Sequence, residues 1–163
     1  MRIGHHTLLT NTASNNVAVG AYALDANTTG DLNTAIGVNA LGANTVGDRN
    51  VAIGHNCLQT YNPGSNEDGY NTGVGLNALS ATTTGNHNTA VGGKAMEVNT
   101  TGSYNCAFGT FALDANTTAS YNSAFGYGTL SSNTTGANNN AFGYKALLNN
   151  TTGSNNTAIG HEA

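Results

Sequence analysis

Charge is scarce in this chain. Only 7% of its 163 residues are Asp, Glu, Lys or Arg, against roughly a quarter in ordinary soluble domains. Four cations, Arg2, Arg49, Lys94 and Lys145, cannot form a stripe that tracks a phosphate backbone, which argues against nucleic acid as a partner. The net charge of -4 makes too weak a field to steer a charged ligand. Tryptophan is absent and proline occurs once, at Pro63. No apolar run approaches the ~18 residues of a membrane helix, so membrane insertion is not expected. Cys57 and Cys106 fall at different positions of a repeat, three repeats apart. At ~4.8 Å per stacked coil they would be separated by about 14 Å, beyond disulfide reach, and free thiols are expected.

Glycine, by contrast, is frequent and regular. Gly20, Gly37, Gly54, Gly75, Gly92, Gly109, Gly126, Gly143 and Gly160 recur at 17-residue intervals, with one interval of 21, and Gly4 precedes them by 16. From Gly20 onward each closes a phrase of Asn, a variable residue, Ala (once Gly), an apolar residue and Gly, as in Asn33-Thr34-Ala35-Ile36-Gly37. Numbering the repeat from that Asn, Ala follows at position eight, Leu at nine, and Asn-Thr-Thr-Gly at twelve to fifteen. Disorder is disfavoured, because 38% of the residues are hydrophobic and their register is fixed. A strict short period means one structural unit stacked many times.

Helix is excluded by the Gly, Asn and Thr content and by apolar spacing that never reaches a helical period. Short β-segments fit: one over positions one to four, a second over seven to ten, with glycines at the bends. The expectation is an all-β fold, a parallel β-solenoid of about ten 17-residue coils forming one domain over residues 1–163. The leading position is always Asn: Asn16, Asn33, Asn50, Asn71, Asn88, Asn105, Asn122, Asn139 and Asn156. Stacked one coil apart, these amides predict a ladder that also satisfies bend backbone groups lacking a sheet partner. A row of sugar-binding amides is the functional alternative.

Adjacent residues on a strand point to opposite faces. The Ala at position three and the column Ile36, Ile53, Val74, Val91, Phe108, Phe125, Phe142, Ile159 therefore occupy both faces, and positions eight and nine do the same. One column fills the coil. The other needs a partner, most economically another copy of the chain, as an intertwined or side-by-side homotrimer. The Phe trio is expected to stack in an interior.

The long interval places four extra residues within Tyr61–Tyr70. Insertions in solenoids protrude and often bind, so Tyr61, Asn62, Asn66, Glu67, Asp68 and Tyr70 are the candidate receptor contacts. The five histidines are scattered; His5, His55 and His161 share position six but lie several coils apart, so no metal site is predicted. Glu97 and Asp114 recur at position ten of successive coils and read as a solvated edge. No triad, phosphate loop or dinucleotide fingerprint is present, so no catalytic residue and no cofactor is predicted and the chain is not expected to be an enzyme.

Phrases such as Asn33-Thr34-Ala35-Ile36-Gly37 followed by Ala40-Leu41 and Asn44-Thr45 resemble repeats of phage tail fibres. Asn50-Val51-Ala52-Ile53-Gly54 and Asn16-Val17-Ala18-Val19-Gly20 are also similar to head repeats of trimeric autotransporter adhesins. The adhesin resemblance implies a left-handed parallel β-roll, three chains side by side and surface-exposed binding, although the coil here is longer than those heads use. Together these readings make the chain an extracellular fibre segment, a phage or phage-like tail-fibre shaft acting in host attachment. A cell-surface glycan or protein would be its receptor, and trimers or end-to-end filaments its expected assemblies. A bacterial surface adhesin head is the alternative of the same kind. An ice-binding solenoid presenting the columns of Thr28 and Thr29 is the alternative of another class.

Overall fold

The computed structural model describes residues 1–163 and contains no helix. Ten short strands follow in order: β1 (Arg2–Ile3), β2 (Val17–Val19), β3 (Thr34–Ile36), β4 (Val51–Ile53), β5 (Thr72–Val74), β6 (Thr89–Val91), β7 (Cys106–Phe108), β8 (Ser123–Phe125), β9 (Asn140–Phe142) and β10 (Thr157–Ile159). They form one parallel sheet in sequence order, the β-solenoid that the repeat predicts. Like positions pair directly: Ala18 with Ala35, Ala35 with Ala52, Ala52 with Gly73.

Each strand is short because the coil glycine ends it. All ten of these glycines hold φ between 130° and 140°, a conformation that L side chains rarely adopt. The second strand expected over positions seven to ten is not formed. Positions seven and nine lie in the left-handed region instead, as at Asn39 (φ 58°), Leu41 (φ 50°) and Leu58 (φ 50°). Coils nevertheless remain bonded here: the Asn39 N–H donates to Ala21 O of the preceding coil, and the Leu41 N–H to Cys57 O of the next, both at 3.0 Å. Left-handed leucine costs about 1–2 kcal/mol of backbone energy, offset by full side-chain burial worth ~1.5–3 kcal/mol.

That backbone also overturns the inference that positions eight and nine face opposite ways. Ala40 and Leu41, like Ala95 and Met96, are both fully buried, because a positive φ breaks the two-residue alternation of a strand. The core is thus Ala from the strand facing Ala and Leu from the turn segment. It tolerates one size exchange. Cys57 stands at a position eight that is usually Ala, and the facing Gly73 replaces the usual strand Ala; a Cβ at Gly73 would lie 2.5 Å from Cys57 Sγ. Both thiols are free, and burial pushes the Cys57 thiol up to about 12, so it is held protonated.

Candidate functional site

Three polar ladders close each coil opposite the Leu column. In the first, the side-chain oxygen of each leading Asn accepts the backbone N–H of the next leading Asn, at 2.8–3.2 Å in all eight steps. Its Nδ2 usually donates to the carbonyl of position fifteen in its own coil, as from Asn88 to Gly102 O at 2.8 Å. A second ladder, beyond the one that the sequence predicts, is built from the Asn of Asn-Thr-Thr-Gly. Asn99 donates to the same Gly102 carbonyl at 3.0 Å, and Asn116 donates to Asn99 Oδ1 at 2.8 Å. Two amides therefore grip one carbonyl from inside. The third ladder runs along position sixteen: Ser120 Oγ accepts the Ser103 N–H at 3.0 Å, and Asp48 Oδ1 accepts the Asp31 N–H at 2.7 Å. The first two ladders are almost wholly buried and present little to a ligand.

The insertion replaces rather than decorates this machinery. Tyr61, a candidate receptor contact by sequence, is only 1% exposed and that role is withdrawn. It occupies the second-ladder column, where the coils below and above carry Asn44 and Thr82. Its ring fits because Gly47 has no side chain; a Cβ there would stand 2.7 Å from Tyr61 Cε1. Burial, reinforced by Glu67, Asp48 and Asp68, pushes the Tyr61 phenol up to about 12. The remaining candidates stay at the surface: Asn62 and Asp68 half-buried, Asn66, Glu67 and Tyr70 exposed. Arg49 pairs with Asp68 and lies 5.9 Å over the Tyr70 ring. Ser65 Oγ donates to Glu67 Oε1 at 2.5 Å. The loop is thus pinned by its own charges.

The Ala column faces the coil interior, and the column Ile36 to Ile159 faces outward. Ile36 and Phe108 are each 38% exposed. Phe108, Phe125 and Phe142 do stack, with centroids 5.1 and 4.9 Å apart, but on the outer face, not in an interior as expected. Flanking columns extend this surface. At position seventeen Tyr70, His87, Tyr104 and Tyr121 stack with centroid spacings of 4.7–5.2 Å; at position six Tyr127, Tyr144 and His161 do so at 5.0–5.6 Å. Rings stacked along the axis cover one another's faces, so they offer edges rather than open platforms for a sugar. Most of the exposed large apolar side chains lie in these three columns. This is far more continuous than the scattered apolar residues of an ordinary surface.

Glu97 and Asp114 depart from the solvated edge expected of them. Glu97 accepts from Asn77 Nδ2 at 3.0 Å and pairs with Lys94 at 3.3 Å, while Asp114 Oδ1 is buried without a partner. Burial raises the Asp114 carboxyl above its ordinary 3.8, and the Glu97 charge adds to the shift. The folded state therefore holds this proton more tightly than the unfolded chain does. Stability from this group is full below the ordinary value and is lost as pH rises through the raised one. Asp114→Asn should consequently raise the melting temperature at pH ~7, with the gain closing towards pH ~3; thermal unfolding at both values checks this. A gain that persists unchanged in acid would contradict it.

The two Thr columns divide their roles. Hydroxyls at position thirteen donate to carbonyls of the next coil, as from Thr100 to Thr117 O at 2.9 Å. Those at position fourteen, such as Thr29, Thr101 and Thr135, are exposed. The free array is therefore one residue wide. No protein-family model, curated protein or solved structure matches the chain.

Proposed function

We propose that this chain is a stiff shaft segment of an extracellular fibre, a phage or phage-like tail fibre, in which copies pack side by side as a homotrimer and serve host attachment. The observation that carries the reading is the outer apolar column, uncovered along the whole length of a single ten-stranded sheet. A rod of ~4.8 Å per coil spans roughly 45 Å, and its inter-coil hydrogen bonds make it resist bending. Contacts repeated around the shaft would add by avidity, with the exposed insertion residues Asn66 and Glu67 as the receptor-facing part. A bacterial adhesin head is the same physical object on a different anchor.

Light scattering at micromolar concentration should give three times the 16.4 kDa of one chain, or larger filaments. A monomeric mass would overturn the reading.

A further inference from the structure

We infer that the outer sheet face is a seam between copies of this chain whose solenoid axes run parallel with coils level. In that seam the third strand residue of one copy lies against the first strand residue of its neighbour. The inference rests on the self-association reading above and adds the face, the direction and the residue pairing.

On a face that one chain leaves to solvent, the first and third residues of the strands change together. In β7, β8 and β9 the third residue is Phe, and the first is Cys106, Ser123 or Asn140. In every other three-residue strand the third residue is Val or Ile and the first is Val or Thr. The partition has no exception: where the outward third residue is Phe, the outward first residue carries no branch at Cβ. A solvated face has no reason to trade a ring at one position against bulk at Cβ in another, whereas a packed one does.

The partner's direction follows from which columns are exchanged. Rotation about an axis parallel to the solenoid brings the third-residue column of one copy against the first-residue column of the next at the same level. Phe125 then meets the neighbour's Ser123. Rotation about a perpendicular axis sets like columns against each other at opposite levels, and the size of Ser123 would be immaterial to Phe125. Only the parallel arrangement makes the observed exchange useful.

Charge and area agree. Across β2–β10 the one charged side chain among the outward columns is Arg49, already held by Asp68, so copies meet without burying an unpaired charge. Ten strands at ~4.8 Å and about seven residues at ~3.3 Å outline roughly 1,100 Å² per copy, enough for the ~800 Å² that one partner contributes to a standard stable interface.

The test swaps the pair within one coil and reads association by sedimentation. Ser123→Phe alone should weaken self-association about tenfold or more, since large would meet large. Ser123→Phe combined with Phe125→Ser should recover it, because the exchange is merely reversed. Both side chains point outward, and far-UV circular dichroism verifies folding; Thr89→Phe with Val91→Ser in β6 repeats the test should the first variant misfold. Unchanged association of Ser123→Phe, or no recovery in the double variant, overturns this seam while leaving self-association standing. A monomeric parent chain overturns both.

Discussion

Gly92→Ala should destabilise the protein by about 4 kcal/mol or more, the sum of a strained φ and an irreducible clash. Gly92 holds φ at 138°, and a Cβ there would stand 2.6 Å from both the carbonyl oxygen and carbon of Gly109, and 2.9 Å from the Thr110 nitrogen. All three are backbone atoms of the next coil, so no rotamer change relieves the contact. The coils themselves would have to part, breaking sheet bonds such as Gly109 N–H to Val91 O at 2.8 Å. Gly128 supplies the control. It too has positive φ, at 61°, but a Cβ there makes only ordinary contacts, with Lys145 Cγ at 3.5 Å and Leu148 Cδ1 at 4.0 Å. Its position is filled elsewhere by Tyr22, Asn39 and Lys94 at φ 58–61°. Gly128→Asn should therefore change stability by less than ~1 kcal/mol. Urea unfolding followed by circular dichroism separates the two. Equal effects would show that φ alone, and not the approach of coils, sets the glycine requirement.

This contrast also marks how far the sequence could be read. The 17-residue period specified coil, register and a strand over positions one to four, found at two to four, because each of those depends only on repetition and on Gly at the bend. The fate of positions seven to ten was hidden. An apolar Ala-Leu pair between variable residues looks strand-like in sequence, yet Leu24 and Leu41 adopt left-handed φ, a choice that pattern rules assign to Gly or Asn. Tertiary burial of the leucine overrides local preference there, and no single-coil argument could anticipate it.

The surface was less legible than the shaft. Tyr61 stands in a loop by composition, but it aligns with the second Asn column, and that alignment would have placed it inside. The column itself is visible at Asn99, Asn116, Asn133 and Asn150, but nothing in a polar Asn-Thr-Thr-Gly phrase says that its amide turns inward. Conversely, the Phe trio looked like core by hydrophobicity alone. One chain leaves it outside, and only a second copy would return it to an interior.

The two Asn columns differ in what their loss leaves behind, and that difference yields the second large effect. Asn88 Oδ1 accepts the buried backbone N–H of Asn105 at 3.0 Å, and its Nδ2 donates to Asn71 Oδ1 at 3.2 Å and Gly102 O at 2.8 Å. Replacing Asn88 by Leu preserves approximate size but strands the Asn105 N–H with no acceptor. One orphaned buried donor costs about 1–3 kcal/mol, and each hydrogen bond lost about 1 more, so the variant should lose roughly 3–5 kcal/mol. Asn99→Leu removes a bond to the same Gly102 carbonyl, but that oxygen keeps Asn88, and the Asn116 amide keeps its bond to Ala119 O at 3.1 Å. No backbone donor is orphaned, and a loss of about 1–2 kcal/mol is expected. The chain already embodies this ranking: the second column tolerates Tyr61 and Thr82, whereas the first admits nothing but Asn over nine repeats. Denaturant midpoints of the two variants, compared at equal slope, decide the matter. A larger loss for Asn99→Leu than for Asn88→Leu would mean that the grip on the Gly102 carbonyl, and not the backbone N–H of the next coil, is what the ladder exists to satisfy.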